Sequence, residues 1–235
     1  MPWPGMGLAG PPSLKVIQPA GRVPPYKPTS NREGWAGETD LDVEYAHTIA
    51  PGASILMVET PTAENEGTTG FPQIVIAEKY VINHHLGGVI SQSFSATEQT
   101  FGSRQAVLRL REACSGSADM YQSFGGQPAG WYPTCGTSEA TPEFAGIVTL
   151  ADQVAGRPLG VINSYLYRLS AQRSARIVDV VSGDNAVSFT QGGKLHTVHG
   201  FAARRGYDLA PGAGTVNGLK FVRELAQAAN RHHSR

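Results

Sequence analysis

Gly136-Thr137-Ser138-Glu139-Ala140-Thr141-Pro142 sets a small hydroxyl residue behind a glycine, where an apolar helix is expected to begin. Ser138 then stands near a helix N-terminus, where unpaired N–H groups and the helix dipole favour developing negative charge. A serine that is to be acylated needs such surroundings. The same residues also read as a plain N-cap, with Ser138 or Thr137 as the capping hydroxyl. Downstream, Ala140, Phe144, Ala145, Ile147, Val148, Leu150, Ala151 and Val154 cover nearly every side of the helix. That pattern predicts a central, buried helix, ended by Gly156 and Pro158.

Composition narrows the partners. The chain has 235 residues, enough for one or two domains with a sizeable core. Nineteen Lys and Arg balance 19 Asp and Glu, so no net positive charge argues for nucleic acid or an anionic membrane. Charged residues make up 16%, against 28 glycines and 16 prolines, which fits a loop-rich α/β protein better than a bundle or coiled coil. No apolar run approaches the roughly 20 residues of a bilayer span. The first dozen residues show neither the basic nor the apolar region of a signal peptide.

Along the chain, residues 1–37 read as an irregular, proline-rich segment with one short strand at Leu14–Ile17. Helices are expected over 38–49, 72–84, 101–110 and 219–230. Strands are expected over 54–59, 89–94, 177–181 and 194–198, with a hairpin whose aromatic arms, 120–124 and 131–133, flank a Gly/Pro turn. The strand–helix alternation of the first half predicts a mostly parallel sheet with helices on both faces. Cys114 and Cys135 flank the hairpin; they read either as a disulfide, implying an oxidising compartment, or as two separate buried thiols.

Glu38 and Asp42 stand at i and i+4 of the first long helix, so they share a face. Two carboxyl groups so placed can share a proton and titrate as a coupled pair. Acidic residues in a first helical turn also complement the helix dipole with no further role.

Glu-x-x-x-Asp on a helix, an Ala50-Pro51-Gly52-Ala53-Ser54-Ile55 turn into a strand, Val89-Ile90-Ser91-Gln92-Ser93-Phe94, and the Gly-Thr-Ser-x-Ala-Thr-Pro stretch follow one another in order. Together with 179–185 and 206–208, this resembles the sedolisin family of serine-carboxyl peptidases over most of residues 8–225. The resemblance implies a subtilisin-like α/β fold in a partial peptidase domain, 38–230, followed by a polar tail, 231–235. It implies a serine-type endopeptidase acting on peptide or protein substrates in acid, secreted as its relatives are. Ser138 would be the nucleophile, Glu38 the base and Asp42 its orienting partner. It also implies one Ca²⁺ held by the carboxylates of Asp179 and Asp208 and the carbonyls of Val180, Arg204 and Gly206. Hard oxygen donors of this kind suit calcium.

The chain departs from the family pattern in one chemical respect. The Ser-Gly-Asp-x-Gly segment that supplies the oxyanion acid has no counterpart between Phe94 and Cys114, and Asp119 stands in a different context. An N-terminal truncation and an internal deletion of the domain are therefore expected. Weak proteolysis follows, or a catalytically dead remnant that still binds peptide. His84-His85, His196-x-x-His199 and His232-His233 are weak metal candidates, because a metal needs three or four convergent ligands. The glycines at 125–126, 192–193 and 212–214 read as turns rather than phosphate-binding loops.

Overall fold

The computed structural model describes residues 7–28, 30–63, 70–94, 118–122, 130–134, 136–172 and 176–233. The helix expected over 101–110 and both cysteines lie outside them. The described residues fall into two compact units, the first ending at Thr149 and the second beginning at Leu150.

In the first unit, β1 (Leu14–Ile17) pairs in parallel with β2 (Ile55–Val58), in the register Leu14↔Ile55 to Ile17↔Val58. Between them runs α1 (Ser30–Ile49), which begins eight residues before the expected start and ends before Pro51-Gly52. Next comes α2 (Gly70–Asn83). Its end is closed by Leu86 N–H donating to the Val81 carbonyl and His85 N–H to that of Ile82, both 3.1 Å. His85 takes the left-handed position this closure requires, at φ 52°. The hairpin follows as β3 (Ala118–Gln122) antiparallel to β4 (Gly130–Thr134). Then α3 (Thr137–Ala155) begins.

The core of this unit is built from Leu41, Val43, Tyr45 and Ala50 around α1, Ala77 and Val81 of α2, and Val148 of α3. His47 is fully buried, and its Nε2–H donates to the Ala9 carbonyl at 2.7 Å, which ties the N-terminal segment to α1. α1 and α3 approach closely at Gly146. A Cβ there would lie 2.8 Å from Cβ and Cγ2 of Ile49 and 3.4 Å from the Ala46 carbonyl oxygen.

The second unit holds the last part of α3, α4 (Asn163–Ala171) and α5 (Gly218–His233), where 219–230 was expected. It also holds β5 (Ile177–Val178) paired with β8 (Thr215–Val216), and the hairpin of β6 (Val187–Gln191) with β7 (Lys194–Val198) across Gly192-Gly193. Phe221, Val222, Leu225, Ala226, Ala228 and Ala229 line the buried stripe of α5, at helical spacing. Arg157 donates from Nη2 to the Ala229 carbonyl at 3.0 Å, a cation on the acceptor end of that helix.

Several expectations give way. The mostly parallel sheet is not found among the described residues: the strands form four two-stranded sheets, three of them antiparallel. Residues 89–94 form no strand: among the described residues none pairs with them. The strand expected over 177–181 stops at Val178. The helix α3 is buried on one side only, through Pro142, Gly146, Val148 and Ala151, while Ala140 and Val154 face solvent. The 231–235 tail is helical as far as His233.

The Gly146 contact yields a direct test. Ile49 is β-branched and stiff, so it yields little to an intruding methyl group. Gly146→Ala is expected to destabilise the protein by about 1–3 kcal/mol, measured by urea unfolding, in the range of overpacking substitutions.

Candidate active site

The start of α3 is set by Gly136. Its carbonyl accepts the first helical hydrogen bonds, from Glu139 N–H at 3.2 Å and Ala140 N–H at 3.1 Å, and its φ of 132° suits only glycine. Gly136 is therefore the cap residue, Thr137 the first helical residue and Ser138 the second. The reading of Ser138 or Thr137 as the N-cap is corrected: glycine occupies that position and leaves the hydroxyl of Ser138 outside the capping role. The backbone N–H of Ser138 belongs to the first turn, which has no intrahelical acceptor. Four residues on, the fully buried Pro142 has no N–H to give the Ser138 carbonyl, so the usual i+4 bond is missing there.

Glu38 and Asp42 lie one turn apart on α1, as the spacing predicts. Asp42 is the more withdrawn. Its Oδ1 is buried with no hydrogen-bond partner among the described residues. Burial, and then the negative charge of Glu38, push its carboxyl up to about 7. Glu38 itself accepts a hydrogen bond from the hydroxyl of Ser93, at 3.2 Å. No hydrogen bond joins Glu38 to Ser138 among the described residues. Burial also raises Asp40 and Glu139. Glu143 is raised by burial and by the charge of Glu139 one turn earlier.

The geometry thus brings together Glu38, Asp42 and Ser93, and holds Ser138 on a neighbouring helix. The link between the helices is the Ala46/Ile49–Gly146 contact. Glu38 lies eight residues before Ala46, and Ser138 eight residues before Gly146. At 1.5 Å rise per residue Ser138 stands about 12 Å from Gly146 along α3, and Glu38 about 12 Å from Ala46 and about 17 Å from Ile49 along α1. Ser93 has no local signature of a partner for Glu38; only its place in the 89–94 motif set it apart.

Two of the expected cation ligands, Asp179 and Asp208, accept backbone hydrogen bonds from residues 204 and 206, within the second unit. Gly206 N–H donates to Asp179 Oδ2 at 2.8 Å, and Arg204 N–H to Asp208 Oδ2 at 2.6 Å. This draws Asp179 to a loop 27 residues further on. Nearby, Gly214 packs so tightly that a Cβ would sit 2.2 Å from the Val178 carbonyl oxygen. Among the described residues no three His, Cys, Asp or Glu side chains form a metal-binding group. The histidine candidates have other partners. His84 Nδ1–H donates to the Tyr80 carbonyl at 2.8 Å, and His196 stacks on Phe189 with centroids 5.4 Å apart. No helix among the described residues is long and apolar enough to cross a membrane.

No protein-family model matches the chain, and neither does any curated protein.

The raised Asp42 makes stability depend on pH with a definite sign. Its carboxyl holds a proton in the folded state up to about pH 7 but releases it in the unfolded chain near its ordinary value. Between those values the unfolded state binds fewer protons, so stability falls as pH rises. Asp42→Asn should remove a loss on the order of a few kcal/mol between about pH 4 and pH 7, measured as the difference between variant and wild-type urea unfolding at each pH. Glu38→Gln should lower the Asp42 midpoint while leaving it above the ordinary carboxyl range, since burial is the larger cause.

Proposed function

We propose that this chain is a serine-type peptidase of the serine-carboxyl kind, with Ser138 as nucleophile, Glu38 as base and Asp42 as the partner of Glu38. The observations that support the reading are the packing of α1, which carries Glu38, on α3, which carries Ser138, at Gly146, and the buried, raised carboxyl of Asp42. In the reaction, Ser138 Oγ bonds to the substrate carbonyl carbon as its proton passes to Glu38. The tetrahedral oxyanion then collapses, the C–N bond breaks, and Glu38 returns the proton to the departing amine. Water, with Glu38 again as base, cleaves the resulting ester and regenerates Ser138.

A carboxylate base works in acid, where an imidazole would already be protonated. With Asp42 protonated up to about pH 7, the pair carries at most one negative charge over the acid range. The first-turn N–H of Ser138 is one donor aimed at the region where an oxyanion forms. The missing Ser-Gly-Asp-x-Gly acid costs a second donor, worth about 10²–10³ in kcat. A covalent probe is therefore a sharper test than turnover. A serine-directed fluorophosphonate at pH 4 should label the wild type, with Ser138→Ala unlabelled and Glu38→Gln at least about 10²-fold slower.

The absence of a Ser138–Glu38 hydrogen bond, with Ser93 on Glu38 instead, favours a second reading: a peptide-binding remnant without catalysis. That reading is supported if the wild type binds peptides at pH 4 and Ser138 stays unlabelled.

The cation reading is supported by Asp179 and Asp208, whose carboxylates both bond to the backbone of residues 204–206. These carboxylates would supply hard oxygens and Val180, Arg204 and Gly206 carbonyls, a set that suits Ca²⁺ by its chemistry. When bound, the ion would contribute stability to the second unit rather than a chemical step. Millimolar Ca²⁺ should raise the unfolding temperature by a few degrees, in line with binding linkage. The rise should vanish in Asp179→Ala and Asp208→Ala, and Mg²⁺ should not reproduce it.

A further inference from the structure

Residues 89–94 pair with no strand, yet their last two side chains are held against α1. Ser93 donates its hydroxyl to Glu38 Oε1 at 3.2 Å across 55 residues of sequence. The ring of Phe94 lies against Trp35, with centroids 6.2 Å apart and planes tilted by 54°. Trp35 and Glu38 are three residues apart, on one face of the helix. Two successive side chains of one segment therefore grip two neighbouring positions of α1. The aromatic contact supplies area and orientation, and the hydroxyl supplies a directed bond to a carboxylate.

We propose that Ser93 is a positioning residue for Glu38: its hydroxyl, seated by the Phe94–Trp35 contact, fixes the Glu38 carboxylate beside Asp42. The inference rests on the proposed role of Glu38 as base. A glutamate side chain has three rotatable bonds, and one end of it must be tied for its oxygens to keep a fixed distance from a second group. Asp42 Oδ1 makes no hydrogen bond among the described residues, and the hydrogen bond to Glu38 Oε1 comes from Ser93. Ser93 ties it from outside the helix.

On α1 itself Arg32, Glu33, Asp40, Glu44 and His47 stand near the pair in sequence. Residues 87–94 carry no titratable side chain, and neither does β2. The other elements touching α1 carry Glu139 and Glu143, on α3, and Asp119, on β3. None of these is altered in the variants below.

The test reads the effect of Glu38 on Asp42, through ¹³C carboxyl titration of Asp42 by NMR. Without Ser93 the Glu38 carboxylate is free to swing into solvent, and its repulsion of Asp42 weakens. Ser93→Ala should lower the Asp42 midpoint by on the order of half a pH unit. Ser93→Thr, which keeps the hydroxyl, should hold the wild-type midpoint and shows that the segment still folds. In a Glu38→Gln background, Ser93→Ala should have no effect. An unchanged midpoint in Ser93→Ala overturns the proposal, and so does an equal shift in the Glu38→Gln background. Fluorophosphonate labelling of Ser138 adds a second readout: Ser93→Ala should slow it about ten- to hundredfold and Ser93→Thr should restore it. Wild-type labelling that Ser93→Ala leaves unslowed also overturns the positioning role. A wild type that is not labelled overturns the peptidase reading instead, and the titration alone then decides the role of Ser93.

Discussion

The contact of Gly146 with Ala46 and Ile49 is the constraint on which the candidate site depends. Only a residue without a Cβ lets α1 and α3 approach so closely, since 2.8 Å to a β-branched side chain leaves no room for a methyl group. Glu38 and Ser138 stand on these two helices, each on the N-terminal side of the contact. A shift of one helix by a turn would move Ser138 by about 5.4 Å relative to Glu38. The packing of two apolar surfaces therefore sets the positions of polar groups that make no hydrogen bond to each other.

The polar groups are in turn arranged so that one carboxyl is isolated and the other is held. Asp42 is sunk into α1 beside Leu41 and Val43, both buried. Glu38 sits a turn nearer the end and is met by Ser93. The i,i+4 spacing alone would give two similar acids that repel by a few tenths of a kcal/mol. Burial breaks the symmetry, because it penalises the charged form of Asp42 more than a surface neighbour could. Different environments for two adjacent carboxyls are how an acid and a base are assigned within one pair.

Elements with an internal period were legible in the sequence. The helices around Asp42, after Ser138 and at the chain end all formed, because their apolar spacing needs no distant partner to be recognised. The hairpin arms formed for the same reason, as β3 paired antiparallel with β4. Strands that need a neighbour were not legible. The apolar text of 89–94 is as good as that of β2, but β2 has β1 beside it and 89–94 has no strand beside it among the described residues. The mostly parallel sheet is likewise not found among them, since alternation of elements says nothing about which strands meet. At the site, Glu38 and Asp42 were legible as a pair through their spacing. The cap was not: Thr137 and Ser138 are the better capping residue types, and the backbone conformation of Gly136 took the position instead. Ser93 was out of reach of any local rule, being 55 residues from its partner. The drawing of Asp179 to the 204–208 loop is equally non-local, and only the family pattern linked those residues.

The ionisable groups bear on the choice of base independently of the resemblance. Asp40, Asp42, Glu139, Glu143 and Asp152 are all raised, and burial is the larger or only cause in each. A fold whose carboxyls lean toward their neutral forms gains stability as pH falls toward their unfolded values. Among the described residues the fully buried histidine is His47, which uses its Nε2–H on the Ala9 carbonyl and so acts as a structural tie. The buried imidazole thus serves packing, while the raised groups are carboxyls. That division suits chemistry in acid, where a neutral carboxyl costs nothing to bury and an ionised one can still be held in place by a single hydroxyl.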